Sequence, residues 1–295
     1  MTPDDAHDDR SSLLLQDRVR RVFGELPGAV AGQEEPVHQV RVAGRRLRVS
    51  LPLLARKGQG RRLRRALKVL RQLTRTVGAG RDMDVILGLF EDRLAVSKTP
   101  SAEQRALLSR LRSARARVRV QVADGVLDLD IDGLRRDLRQ LLQGGASGSA
   151  TVLARGRAVR EKEGAELLRG FSQLGERYRP EELHALRRHA RRLRYVAEVE
   201  DVVRGDESRA PVLWKRLQDG MGIIHDHHVL ASWFEEQGRA AEARGDTLLA
   251  RAARRERSAF TGLGRLLHRA LQETKPSDLA LRALQAMARG RWITA

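Results

Sequence analysis

The stretch "VHQVRVAGRRLR", Val37 to Arg48, holds one histidine and four arginines and no carboxylate. At about 100° per residue, Val37, Val40, Gly44, Leu47 and Leu51 share one stripe of a helix. His38, Arg41, Arg45 and Arg48 share the stripe beside it. The segment therefore reads as a helix that packs through one face and carries a cationic ridge along its edge. A solvated face normally mixes signs at helical spacing, because like charges there lose roughly 0.2–0.5 kcal/mol per pair. An unmixed ridge implies an anion that the chain itself does not supply.

The pattern recurs in "LHALRRHARRLR", Leu183 to Arg194. His38, Arg41, Arg45, Arg46, Leu47 and Arg48 match His184, Arg187, Arg191, Arg192, Leu193 and Arg194 at a constant offset of 146. The small Gly44 and Ala190 coincide and suit close helix approach. A second match, at an offset of 144, joins "RQLTRTVGAGRDMDV" (71–85) to "KRLQDGMGIIHDHHV" (215–229). It pairs Arg71 with Lys215, Gly78 with Gly222, Asp82 with Asp226 and Val85 with Val229. Repetition at long range points to an internal duplication. "GGASGSA", Gly144 to Ala150, reads as the flexible linker between the copies. The expected organisation is an acidic disordered tail (1–10), a first helical-bundle half (11–143), the linker (144–150) and a second half (151–295).

Periods of three and four run through nearly the whole chain, and no alternating strand pattern is found. The helices expected are 11–24, 36–56, 60–78, 82–96, 101–123, 131–142, 151–169, 180–203, 210–223, 226–243, 246–272 and 277–290. The fold class is thus all-α, and the repeated order of helices suggests two pseudo-twofold-related bundles. In the helix after the first ridge, Arg64, Lys68, Arg71 and Arg75 line one side, opposite Leu63, Leu67 and Leu70. The second half is weaker there, since Asp219 stands where the first has Arg75. "G-x-x-x-D-x-x-V" suggests a helix ended by glycine and a new one capped by aspartate.

Composition narrows the function. Lys+Arg 57 against Asp+Glu 38 gives +19, and arginine supplies all but six of the cations. Such an excess calls for a polyanionic partner. The absence of cysteine excludes disulfides and thiolate metal sites and fits a reducing cytoplasm. No apolar run approaches the ~20 residues of a membrane helix. The acidic start "MTPDDAHDDR" does not look like a secretory signal. No catalytic motif is seen: no nucleophile elbow, no phosphate-binding Walker loop and no strand-borne carboxylate pair. His225, Asp226 and His228 suit a divalent metal by type, but the matching segment "RDMDV" has no histidine, so no metal and no cofactor is expected. Aromatic residues are 3% of the chain and do not interleave with the ridges, which argues against single-stranded nucleic acid.

The duplicated histidine-arginine segments, each followed by its Gly…Asp segment, resemble the signature segments of the CHAD domains, the conserved-histidine α-helical domains. The likeness covers roughly residues 11 to 291. It implies two helical bundles around a basic cavity that binds inorganic polyphosphate, without catalysis, in the cytoplasm or on polyphosphate granules. The site it implies comprises His38, Arg41, Arg45, Arg48, His184, Arg187, Arg191 and Arg194. The ridge helices add Arg64, Lys68, Arg71, Arg75 and Lys215. Two alternatives stand beside this one: a charge-driven nucleic-acid binder, and a metal-dependent phosphohydrolase. Family members often accompany a triphosphate tunnel domain, for which this sequence carries no motif.

Overall fold

A computed structural model describes residues 3–57, 60–97 and 99–289, with side chains from residue 10 onward. Eleven helices are assigned among them: α1 (Pro3–Gly24), α2 (Leu26–Val30), α3 (Glu34–Leu54), α4 (Arg61–Val96), α5 (Ala102–Leu127), α6 (Ile131–Gln143), α7 (Ser149–Leu174), α8 (Pro180–Arg204), α9 (Ala210–Glu242), α10 (Thr247–Glu273) and α11 (Pro276–Arg289). The described residues contain no strand, only a lone antiparallel bridge between Ala55 and Ala146. The all-α expectation holds.

The apolar stripes became the core. Val37, Val40, Leu47 and Leu51 of α3 are buried, as are Leu183, Leu186, Ala190 and Leu193 of α8. A continuous apolar cluster joins these stripes to α1, α4, α7, α9 and α11. A second cluster sits between the distal halves of α4 and α9 and the helices α5 and α10. There Phe90 meets Phe234 edge-on at 4.9 Å, and Phe234 stacks on Phe260 at 5.8 Å. α3 packs on α4, α8 packs on α9, and the two pairs meet through α3–α8 and α4–α9 contacts. Gly44 is needed at the first pairing, since a Cβ there would stand 2.6 Å from Thr74 Cγ2 of α4.

Three local expectations are overturned. Helix α1 begins at Pro3, so from that residue on the acidic stretch is helical rather than a disordered tail; residues 1–2 lie outside the described residues. Nor does a break occur at the Gly…Asp segments. α4 runs unbroken through Gly78 and Asp82, and α9 through Gly222 and Asp226. A helical glycine costs only about 1 kcal/mol, which packing on both sides outweighs, and Asp82 serves an arginine instead of a helix end. Finally, the 144–150 stretch is no free linker. The Ser147 amide donates to Leu54 O at 2.7 Å, its hydroxyl donates to Ala55 O at 3.1 Å, and the Arg155 guanidinium clamps both Ala55 O and Ser147 Oγ. The helix end expected at residue 290 lies outside the described residues.

Candidate functional site

Packing α3 against α8 turns their two cationic ridges toward each other, and α4 closes one side. The result is a cavity of about 580 Å³ lined by Arg45, Arg48, Arg71, Arg75, Arg188, Arg191 and Arg192, with His184, Thr74 and Tyr195. No carboxylate is among its lining residues. A second cavity of about 540 Å³ contains His38, Arg41, Arg81, Arg187, His225, Asp82 and Asp226. Arg45, Thr74, Arg75 and His184 border both, so the two form one groove.

The ends of this groove differ electrostatically. In the second cavity the arginines have partners: Arg41 Nη1 donates to Asp82 Oδ1 at 2.8 Å and to Gly78 O at 3.1 Å. The corresponding Arg187 Nε donates to Gln218 O at 3.4 Å and feels Asp226. Each guanidinium lies against the glycine of its neighbouring helix. A Cβ on Gly222 would stand 3.0 Å from Arg187 Nη2. The repeated Gly…Asp spacing thus does different work in the two copies: Asp82 bonds Arg41, whereas at Gly222 the missing side chain makes room for Arg187 and Asp226 acts on it only through its charge.

In the first cavity every arginine except Arg192, which pairs with Glu163, lacks a carboxylate partner among the described residues. Arg48 Nη1 reaches Thr74 Oγ1 at 3.1 Å, while no ion pair among the described residues involves Arg45 or Arg191. Burial, and then the nearby Arg191 and Arg41, pull Arg45 down to about 9. Burial and Arg187 pull Arg191 down to about 10. Arg48 and Arg187 move the same way, chiefly by burial. The histidines register the same field: burial and Arg187 lower His184 to about 4, and burial and His184 lower His225 to about 3. His38 is lowered too, by burial and Arg81. The Nδ1 atoms of all three are buried without a hydrogen-bond partner. Cations this close and this desolvated are costly until an anion arrives.

Of the residues expected in the site, His38, Arg41, Arg45, Arg48, Arg71, Arg75, His184, Arg187 and Arg191 converge on the groove. Four do not. Arg64 is exposed and lines neither cavity. Lys68 borders a separate hollow near Asp130 and Asp137. Lys215 pairs with Asp219 one turn along α9. Arg194 is held by Glu198, which also takes Arg18 and Arg46. In exchange, Arg81, Arg188, Arg192, Tyr195 and His225 line the groove although the ridge spacing does not include them. Arg188 and Arg192 follow His184 at i+4 and i+8, a stripe that helical spacing alone could have revealed. Arg192 is shared, since its Nη1 donates to Glu163 at 2.7 Å while His189 Nδ1 lies 2.6 Å from the other Glu163 oxygen.

The His225–Asp226–His228 set diverges. His225 lies against His184 with ring centroids 4.0 Å apart and planes tilted by 39°, whereas His228 Nε2 lies 3.2 Å from Glu181 on the far side. No group of three or more metal-ligating side chains converges among the described residues. No described helix is long and apolar enough to cross a membrane.

Helical bundles whose facing ridges enclose an arginine-lined groove define the class of protein as all-α with a basic cavity. A family model for the CHAD domain matches residues 13–235, and the chain belongs to that family. The crystal structure of the CHAD domain from the plant Ricinus communis superposes with a TM-score of 0.64 at 18% identity, covering 95% of this chain and 91% of that one. At that identity the likeness speaks for the fold. No curated protein matches the chain in sequence.

Proposed function

We propose that the groove binds inorganic polyphosphate, that the chain is a non-catalytic binding module, and that it works in the cytoplasm, including on polyphosphate granules. The supporting observation is the first cavity, with seven arginines and no carboxylate in its lining. Guanidinium forks match phosphate oxygens bidentately, and a linear chain of phosphates can follow a groove that continues from one cavity into the next. The recurrence of ridge and Gly…Asp contact in both halves is read as a duplication that set two ridges face to face. The two groove aspartates have a role in this reading without catalysis: Asp82 holds Arg41 in place, and Asp226 offsets the charge of Arg187.

A titration of long-chain polyphosphate at two salt concentrations, with duplex DNA as competitor, tests it. Contact with six or more phosphates is expected to weaken binding at least ~10³-fold between about 50 and 200 mM salt. DNA should fail to displace the polyphosphate, because cavities of about 580 and 540 Å³ leave no room for a duplex among their arginines. Ready displacement by DNA would mean a generic cationic surface and would overturn the reading.

The placement of individual arginines supplies a second test. Arg192→Ala should weaken polyphosphate binding about tenfold, the loss of one charge-assisted contact of ~1.5 kcal/mol. Arg194→Ala should leave affinity within about twofold, because Arg194 serves Glu198 and not the groove. Equal losses at the two positions would contradict the geometry.

A further inference from the structure

Beyond the histidine pair lies a compartment of different character. It measures about 410 Å³ and is walled by Met83 and Ile86 of α4 and by Val229 and Trp233 of α9. No arginine or lysine is among its lining residues. His184 and His225 border both this compartment and the arginine groove, so the two meet at the paired imidazoles. An inorganic phosphate chain gains nothing here: apolar walls strip its water without replacement, and Glu181 and Glu236 at the rim repel it. The same walls suit a neutral planar group. Trp233 offers an aromatic surface, while Glu236 and the Ser232 hydroxyl offer acceptors for an amine. Glu181 is engaged by His228 at 3.2 Å, which leaves Glu236 as the unshared carboxylate of the two.

We propose that the site also takes nucleoside polyphosphates bearing an amino base, the base in this compartment and the phosphates among Arg41, Arg45 and Arg187. The proposal rests on the polyanion reading of the groove and adds the head group that the apolar compartment selects. The ribose passes the edges of His184 and His225, whose buried Nδ1 atoms have no partner within the protein. Phosphate charge sets the grip and the base sets the preference, since stacking of a base on an aromatic side chain adds affinity that a bare phosphate chain lacks.

The experiment compares ATP with inorganic tripolyphosphate by calorimetry, at matched ionic strength and without divalent cations. Tripolyphosphate carries the greater charge, so electrostatics alone favours it. The expected result is ATP binding tighter by about tenfold, as one stacked base supplies. Trp233→Ala should abolish that excess while leaving tripolyphosphate affinity unchanged. Ser232→Phe, which fills the compartment without removing a packed side chain, should do the same. ATP binding no tighter than tripolyphosphate in the wild-type protein would overturn the proposal and leave polyphosphate binding intact. Failure of both ligands would overturn the groove reading itself, and this proposal with it.

Discussion

Replacing Arg45 and Arg191 together by methionine is expected to weaken polyphosphate binding at least ~100-fold while raising the melting temperature of the ligand-free protein. The first part follows from the hydrogen bonds to phosphate that methionine cannot make. A hydrogen bond to a charged group contributes about 1.5–3 kcal/mol, so two guanidiniums remove roughly 3–6 kcal/mol, or about two to four decades in Kd. The second part follows from burial. Neither arginine has an ion-pair partner among the described residues, and both are pulled below the usual arginine range by desolvation and by their cationic neighbours. Methionine fills the volume of the aliphatic stem and carries no charge to desolvate. Arg41 and Arg187 behave differently under the same change. Asp82 would lose its partner, and Asp226, already raised by burial, would rise further. That pair of substitutions should therefore lower stability as well as affinity. Arg64→Met, in an exposed position outside the groove, is the control and should alter neither quantity. Thermal melts with and without polyphosphate, alongside a binding titration, decide the matter. A ligand-free melting temperature that falls in the Arg45/Arg191 variant would show that these arginines stabilise the fold and are not held against it for a ligand.

Opposite signs in affinity and stability are what a site under electrostatic strain produces, and they clarify which parts of the molecule the sequence displays. Helical period is a local property, so the spacing of Val37, Val40, Leu47 and Leu51 alone assigns them to a buried face. The ridge beside them is equally visible, as is the recurrence of its pattern at 183–194. What local patterning could not show was the outcome of competition. Gly78 and Asp82 look like a helix end and a cap, yet tertiary packing carries α4 straight through them and turns them into the seat of Arg41. Arg194 is the sharper case. It corresponds to Arg48, and both stand four residues before a position that decides their fate. In α3 that position is Pro52; in α8 it is Glu198. A carboxylate at i+4 captures Arg194 within its own helix, whereas Arg48 is left to turn into the groove. Two matched arginines thus separate because of one unmatched residue. Arg188 and Arg192 of the same helix take the place that Arg194 leaves on the second ridge.

The histidines give the other large effect, in pH. Polyphosphate affinity is expected to rise by an order of magnitude or more as pH falls from about 7 to about 5.5, with net proton uptake on binding. In the free protein His184 and His225 are held neutral, at about 4 and about 3. Burial is the first cause; Arg187, Arg188 and Arg191 of α8 add to it, and Asp82 of α4 opposes it. His225 is also depressed by His184 and His228 and lifted by Asp82. A phosphate chain in the groove brings negative charge to both rings and raises their pKa values. Between the free and bound values the complex holds more protons than its components, so acid favours binding. The sign for stability is the reverse. The unfolded chain protonates these histidines near 6.5 while the folded chain does not, so ligand-free stability is full above that pH and is lost as pH falls toward about 4 for His184 and about 3 for His225. Both rings are partly reached by solvent, which keeps the joint cost well below what the full shifts would give. Polyphosphate should cancel much of that loss. Calorimetry at pH 5.5 in two buffers of different ionisation enthalpy measures the protons taken up, and a His184→Gln, His225→Gln double variant isolates the pair from the terminal phosphates and from Asp226. Proton uptake equal in the variant and the wild type would place the pH sensitivity elsewhere and leave the paired imidazoles a structural contact between α8 and α9.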